Sequence, residues 1–296
     1  MSTRRDCLFS LAGLCTHLPL VGDSQSYRVA VEAWRKQQES DFFGPDGPFT
    51  LLTRLSPKQG LSSLGEDKSC DLVIPVPRAP AHVGQLEVGT RAAVLRVLPS
   101  VHVLVDKQPV TIVAVNDGQS KEAVVDGIKL RLRFRRGALA LTIIDPDSPM
   151  RAKAAPLRWF PIQEKYRVTA DWVPYSQPKP MHLADSDGGG RDWECPGLAA
   201  FQLDGRRSTL EPFVNTGENN LFFTFRDSTS GNETYGAGRF FEADLPKGGK
   251  VLLDFNKAYN PMCAYNHLYS CPVPPSQNHL QVPIPAGEQK YVNTEF

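Results

Sequence analysis

The densest concentration of chemically useful side chains lies toward the C-terminus. From Asp254 to Leu280 the chain reads DFNKAYNPMCAYNHLYSCPVPPSQNHL, rich in Asn, Tyr, Pro and Cys and almost without an apolar period. Asn and Asp close turns through their own backbone. Pro261, Pro272, Pro274 and Pro275 fix φ and remove ladder donors. Such a stretch makes neither helix nor ordinary strand, so its surroundings must hold it, and segments held in this way carry sites. Its hydrogen-bonding side chains are Asp254, Asn256, Tyr259, Asn260, Tyr265 and Asn278. Upstream, RDSTSGNETYGAGR offers Asp227, Tyr235 and Arg239 among glycines, and downstream stands Glu288. The fork of Arg239 can grip a carboxylate in two-pronged fashion. One reading is a polar ligand pocket built from Tyr235, Arg239, Asp254, Asn256, Tyr259, Asn260, Tyr265, Asn278 and Glu288, with Asp254 and Glu288 available as acid and base. The other is a structural clasp, in which Arg239 pairs with Asp254 or Glu288 and ties the hairpin to the Pro-rich loop.

Cys263 and Cys271 sit in the same stiffened loop. Three states are open to them. In an oxidising compartment a disulfide closing so short a loop contributes roughly 2 to 3 kcal/mol; in a reducing one the thiols stay free. With His267 and His279 they also offer two thiolates and two imidazoles, a set that suits zinc. The spacing C-x3-H-x3-C-x7-H is no standard zinc module, and no metal is expected. No Gly-rich phosphate loop follows a strand and no Gly-x-Ser-x-Gly elbow is present, so the sequence calls for no cofactor and leaves open whether any reaction occurs.

These residues need a scaffold. The 296 residues are 41% hydrophobic, enough for one large or two ordinary folded units. A net charge of +1, from 33 basic and 32 acidic residues with no basic block, argues against nucleic acid as partner. A small molecule is the leading expectation from the polar loop, and the alternative is a structural or protein-interaction module in which the same polar residues only close the fold. No apolar run is long enough for a membrane span. The oligomeric state is not legible. At the N-terminus Arg4 and Arg5 precede a mildly apolar stretch from Cys7 to Gly22, the layout of an export signal and similar to twin-arginine signals. Residues 1–26 are therefore expected to be an export signal and the protein periplasmic or secreted. The alternative is a cytoplasmic protein whose N-terminus joins the first helix.

In YRVAVEAWRKQQESDFF, Tyr27, Val31, Trp34 and Gln38 recur at helical spacing. The segments DLVIPV, AAVLRVL, VTIVAV, IKLRLRF and ALALTII then follow at short intervals with turn residues between them. A second set, YRVTADWVPY, LAAFQLDG, NLFFTFRD, GRFFEADL and KVLLDFN, succeeds the proline-rich connection Asp145 to Pro161. Phe222, Phe223, Phe225, Phe240 and Phe241 read as strand core. The predicted fold is mainly β: an N-terminal helix and linker over 27–67, a β-sandwich-like unit over 68–148, and a second barrel-like or sandwich-like β unit over 149–296 closed by the Pro/Asn/Cys-rich loop.

The texts FRDSTSGNETYGAGRFFEAD and VLLDFNKAYNPMCAYNHLYSCPVPPSQNHLQVPIPAGE resemble the bacterial and archaeal family of unknown function DUF1684, and the resemblance runs over most of residues 27–290. It implies a matched cysteine pair at Cys263 and Cys271, and members that often carry an N-terminal export or lipoprotein signal. It implies no activity, and neither His267 nor His279 belongs to its pattern. The strands from Ser69 to Ile144 also look distantly like a forkhead-associated sandwich, without the phosphothreonine-reading residues of that fold.

Overall fold

The computed structural model describes residues 21–135, 137–186, 188–214 and 219–292. The chain is mainly β, with an N-terminal helix followed by two β units. Most of the expected export segment, residues 1–20, lies outside the described residues; Val21 to Ser26 belong to the first helix. No helix among the described residues is long and apolar enough to cross a membrane.

Helix α1, Val21–Phe42, runs without glycine or proline from Asp23 onward. Its inward stripe is Tyr27, Val31, Trp34, Gln38 and Phe42, at the three- and four-residue spacing of one helical face. Tyr27 and Val31 are buried with Ile162, Trp34 meets Trp159 edge-on at 5.8 Å, and Phe42 packs with Phe49 and Leu157. Every one of these partners outside α1 and Phe49 belongs to the connection that enters the C-terminal unit.

The first β unit contains β1 (Leu51–Leu55), β2 (Gly60–Gly65), β3 (Leu72–Val73), β4 (Gly84–Val88), β5 (Ala92–Val97), β6 (Val103–Val105), β7 (Gln108–Val110), β8 (Ile112–Asn116), β9 (Ser120–Val125), β10 (Ile128–Arg135) and β11 (Ala138–Ile144). They form a six-stranded sheet in the order β1-β11-β10-β9-β6-β7 and a five-stranded one in the order β3-β2-β4-β5-β8. Strand β10 shows how sequence sets the layers: in IKLRLRFR every second residue, Ile128, Leu130, Leu132 and Phe134, is fully buried, and the residues between them point outward. Two strands, β1 and β2, fall inside 27–67, where the sequence pattern indicates helix and linker. LLTRL and GLSSLG alternate too weakly to announce themselves, because β1 is only partly covered along its length.

The second unit contains β12 (Arg167–Ala184), β13 (Gly190–Leu203), β14 (Arg206–Leu210), β15 (Asn220–Phe225), β16 (Arg239–Asp244) and β17 (Lys250–Asp254). Strands β14-β13-β12-β17 make a curved sheet, and β15 and β16 pair as a separate ribbon that closes over it. Phe223, Phe225, Phe241 and Phe255 meet between them; Phe223 and Phe241 stack at 4.8 Å. The irregular stretch after β17 crosses the open end in three short helical turns, Phe255–Lys257, Met262–Ala264 and Ser276–Asn278. It is this crossing, with α1 laid against it, that builds the site.

Candidate functional site

Arg239 opens β16 and is buried to 1% exposure. Its guanidinium donates to the backbone carbonyls of Ala286, Ile284 (2.9 Å) and Glu288 (3.3 Å), and Nη2 lies 3.5 Å from Asp227 Oδ2. Asp227 also accepts from Ile284 N at 2.6 Å, from Thr229 Oγ1 at 2.9 Å and from Ser230 Oγ at 3.1 Å. The expected pairing of Arg239 with Asp254 does not occur, and Glu288 offers the guanidinium its carbonyl. The carboxylate partner is Asp227, which shares the glycine-rich turn with Arg239 and reaches it without crossing the barrel end. Gly238, immediately before Arg239, has φ 106°, and a Cβ there would stand 2.6 Å from the Pro274 ring and 2.7 Å from the Phe225 carbonyl. At this φ and with these neighbours the position takes glycine.

Asp254 and Asn256 face α1 instead. Tyr27 Oη donates to Asp254 at 2.8 Å, and Asn256 Nδ2 reaches Tyr27 Oη at 2.9 Å and the Gln163 carbonyl at 2.8 Å. Gln163 N returns a bond to Asn256 Oδ1 at 3.0 Å. Asn278 forms a similar clip, donating to the carbonyls of Glu211 and Thr224 and accepting from Glu211 N. Tyr259 donates to Glu242, and Tyr235 Oη reaches toward the Cys263 carbonyl at 3.5 Å. Burial together with Glu242 holds the Tyr259 hydroxyl well above its ordinary range, and burial beside Cys263 pushes Tyr235 up to about 12. Asp254, Asn256 and Asn278 are fasteners, bonded to α1, to the connection and to neighbouring strands.

What remains is Glu288. It is 1% exposed and its carboxylate accepts from Tyr265 Oη at 2.7 and 2.8 Å and from Asn260 N at 2.9 Å. Burial pushes its pKa up to about 7, against the pull of those donors and of Arg239 behind it. Tyr265 rises well above its usual range through burial and the adjacent carboxylate. Gly287 sets the position: at φ 74° it lies where a Cβ would be 2.4 Å from the Ala258 carbonyl, so only glycine lets the chain turn the carboxyl inward here.

Glu288 borders a cavity of about 340 Å³ between α1, the β15–β16 ribbon and the loop. The walls are largely aromatic: Phe42 from the helix, Phe222 and Phe240 from the ribbon, Tyr259 and Tyr265 from the loop. Asp41 and Glu288 are its two acids, and no Lys, Arg or His lines it. Asn260 also borders it, and its Oδ1 is buried without a hydrogen-bond partner among the described residues. Of the nine residues singled out from sequence, Tyr259, Asn260, Tyr265 and Glu288 line this cavity; Tyr235, Arg239, Asp254, Asn256 and Asn278 do not. The contributions of Phe42, Asp41, Phe222 and Phe240 escape a sequence reading. The one available signal was the helical stripe of α1, which continues one step past Gln38 to Phe42.

Cys271 reaches the cavity wall, and Cys263 lies beside it. All four cysteines among the described residues are free thiols, so the disulfide expected at Cys263 and Cys271 is not formed in this structure. A hydrogen bond from Cys271, with further ones from Tyr235 and Ser186, holds the Cys263 thiol below its ordinary range, while that same contact and burial push Cys271 up. The four-ligand zinc arrangement is not assembled: among the described residues no cluster of three or more His, Cys, Asp or Glu could hold a metal ion. His279 bonds the Pro274 carbonyl, and His267 is exposed.

Residues 153–289 match the family described as Protein of unknown function (DUF1684). No curated protein matches the chain. Among solved structures it is similar to the solution NMR structure of the uncharacterized protein from gene locus rrnAC0354 of Haloarcula marismortui, at 32% identity over 51% of this chain and 85% of that one, with a TM-score of 0.42. The matched region contains every residue of the irregular stretch together with Arg239 and Glu288, and over this region the chain is similar to the DUF1684 family.

Proposed function

We propose that the chain binds a small apolar amine in the cavity at Glu288. The observation that carries this reading is the lining: aromatic side chains, a deeply buried carboxyl and no basic group. Aromatic faces attract cations through their quadrupoles, and desolvation strengthens that attraction. A carboxyl with a pKa near neutrality takes its charge most readily when a cation arrives to pair with it. The volume of about 340 Å³ suits a ligand at the small end of the usual range. The carboxyl is also equipped for acid–base chemistry near pH 7. Phenethylamine, 2-phenylethanol and phenylacetate share one body and differ in the polar head, so they separate the alternatives. The amine is expected to raise the Tm of the full chain, the alcohol less and the acid least, and Glu288→Gln should erase the preference. Equal shifts for all three, unchanged in the variant, would leave the cavity as a packing defect and favour the structural reading.

The N-terminal arginine pair supports an exported protein. In an oxidising compartment the two neighbouring thiols would lose two protons and two electrons to a disulfide oxidant such as oxidised glutathione and close as Cys263–Cys271. One experiment addresses both points. Protein recovered from the exported fraction should lack both free thiols by mass spectrometry. The Arg4→Lys/Arg5→Lys variant should be retained inside with both thiols alkylatable. Export unaffected by the double variant, or free thiols in the exported fraction, would remove the corresponding half of this reading.

A further inference from the structure

The outward residues of β10 are Lys129, Arg131, Arg133 and Arg135, and they lie along one face of the six-stranded sheet. Neighbouring β11 presents small residues on that face: Thr142 is opposite Arg131, Ala140 opposite Arg133 and Ala138 opposite Arg135. On the other side of β11, Arg54 of β1 is the partner of the same Thr142. The register therefore builds a trough whose floor is Ala138, Ala140 and Thr142 and whose walls are arginines. The walls stand two strand spacings apart, about 10 Å. Tyr269, from the C-terminal loop, borders the trough, and its volume is about 360 Å³.

Arg131 is neutralised by Glu122, with bonds of 3.1 and 2.7 Å. Arg54, Arg133 and Arg135 have no hydrogen-bonding or ionic partner for their side chains among the described residues. Arg133 is held below its ordinary pKa by partial burial and by Arg135, Arg191 and Arg54, with Asp185 opposing. Three like charges thus border one floor of small residues.

We propose that this trough is an anion site for a small organic molecule with two phosphate or carboxylate groups, one gripped by Arg54 and the other by Arg133 and Arg135. Guanidinium forks match both groups in two-pronged geometry. Charge on both walls favours a dianion that spans the floor over a single compact ion. The volume admits a metabolite-sized dianion. This site is independent of the Glu288 cavity.

Calorimetric titration of the full chain at low salt tests the assignment, with inorganic phosphate, fructose 1,6-bisphosphate and a pentaglutamate peptide as probes. The bisphosphate should bind about tenfold or more tighter than phosphate. Arg133→Gln should weaken it by a similar factor, and the exposed control Lys107→Gln should not. Removing a repelling charge should leave the Tm of Arg133→Gln unchanged or raised, which separates lost binding from lost folding. Equal affinities for phosphate and bisphosphate, or an Arg133→Gln variant that binds normally, would overturn the proposal. Tighter binding of pentaglutamate than of the bisphosphate would overturn its small-molecule class.

Discussion

Raising the pH from about 5 to about 8 is expected to cost this protein on the order of 3 kcal/mol of stability through one residue. In the folded chain the Glu288 carboxyl is raised from its ordinary 4.5 to about 7. Between those values the folded state holds a proton that the unfolded state has released. A proton held only by the native state stabilises it, so the contribution is full below the unfolded pKa and is lost as pH rises through the folded one. The sign is opposite to that of a salt-bridged carboxylate. Glu288→Gln keeps a hydrogen-bonding head of similar size beside Tyr265 and Asn260 and removes the ionisation. Chemical denaturation across this pH range should show wild-type stability falling through about neutrality and a flatter line for the variant, crossing in favour of Gln at the alkaline end. Two parallel lines would show that Glu288 titrates normally.

The second large effect is expected at Arg239. Its guanidinium satisfies three backbone carbonyls and faces Asp227 inside the core. Arg239→Met fills a comparable volume but strands those carbonyls and leaves Asp227 charged without its cation. Breaking a buried pair from one side costs about 3 to 5 kcal/mol. Asp227→Asn in the same chain should recover part of that loss, because the uncompensated charge is gone while the carbonyls stay unpaired. Urea denaturation of the two single variants and the double variant measures both quantities. A loss below about 1 kcal/mol for Arg239→Met would mean that the clasp is not holding the C-terminal segment. The distinction matters for function: Arg239 fixes the backbone that presents Glu288 and does not itself line the cavity.

Local pattern made the elements legible and left the partnerships hidden. IKLRLRFR announces a strand with one buried face because alternation is a property of adjacent residues, and the same holds for the helical stripe from Tyr27 to Gln38. The stretch after Asp254 could be recognised as a held, polar segment, and Glu288, Tyr265, Asn260 and Tyr259 do meet at one cavity. Which acid would meet Arg239 could not be read. Asp227, Asp254 and Glu288 all lie within plausible reach of β16, and the choice depends on how the ribbon folds over the sheet. Tyr27 and Asp254 are bonded across a separation of 227 residues. Nothing in either local sequence encodes that contact. The same limit concealed α1 as a wall of the site: its apolar stripe shows that it packs, not where. The polar density of the loop also misled in one respect. Most of those side chains bond one another or the backbone, and the space they leave open is aromatic with a single buried acid at its border.

The central claim is that Glu288 is a carboxyl poised near neutrality that takes its charge when an amine enters. Carbon-detected NMR of the Glu288 side-chain carboxyl, followed through a pH titration with and without phenethylamine, reads this directly. A midpoint near 7 in the free protein, displaced downward by the amine, is the predicted result. A midpoint at the ordinary 4.5, or one near 7 that saturating amine leaves in place, would contradict it.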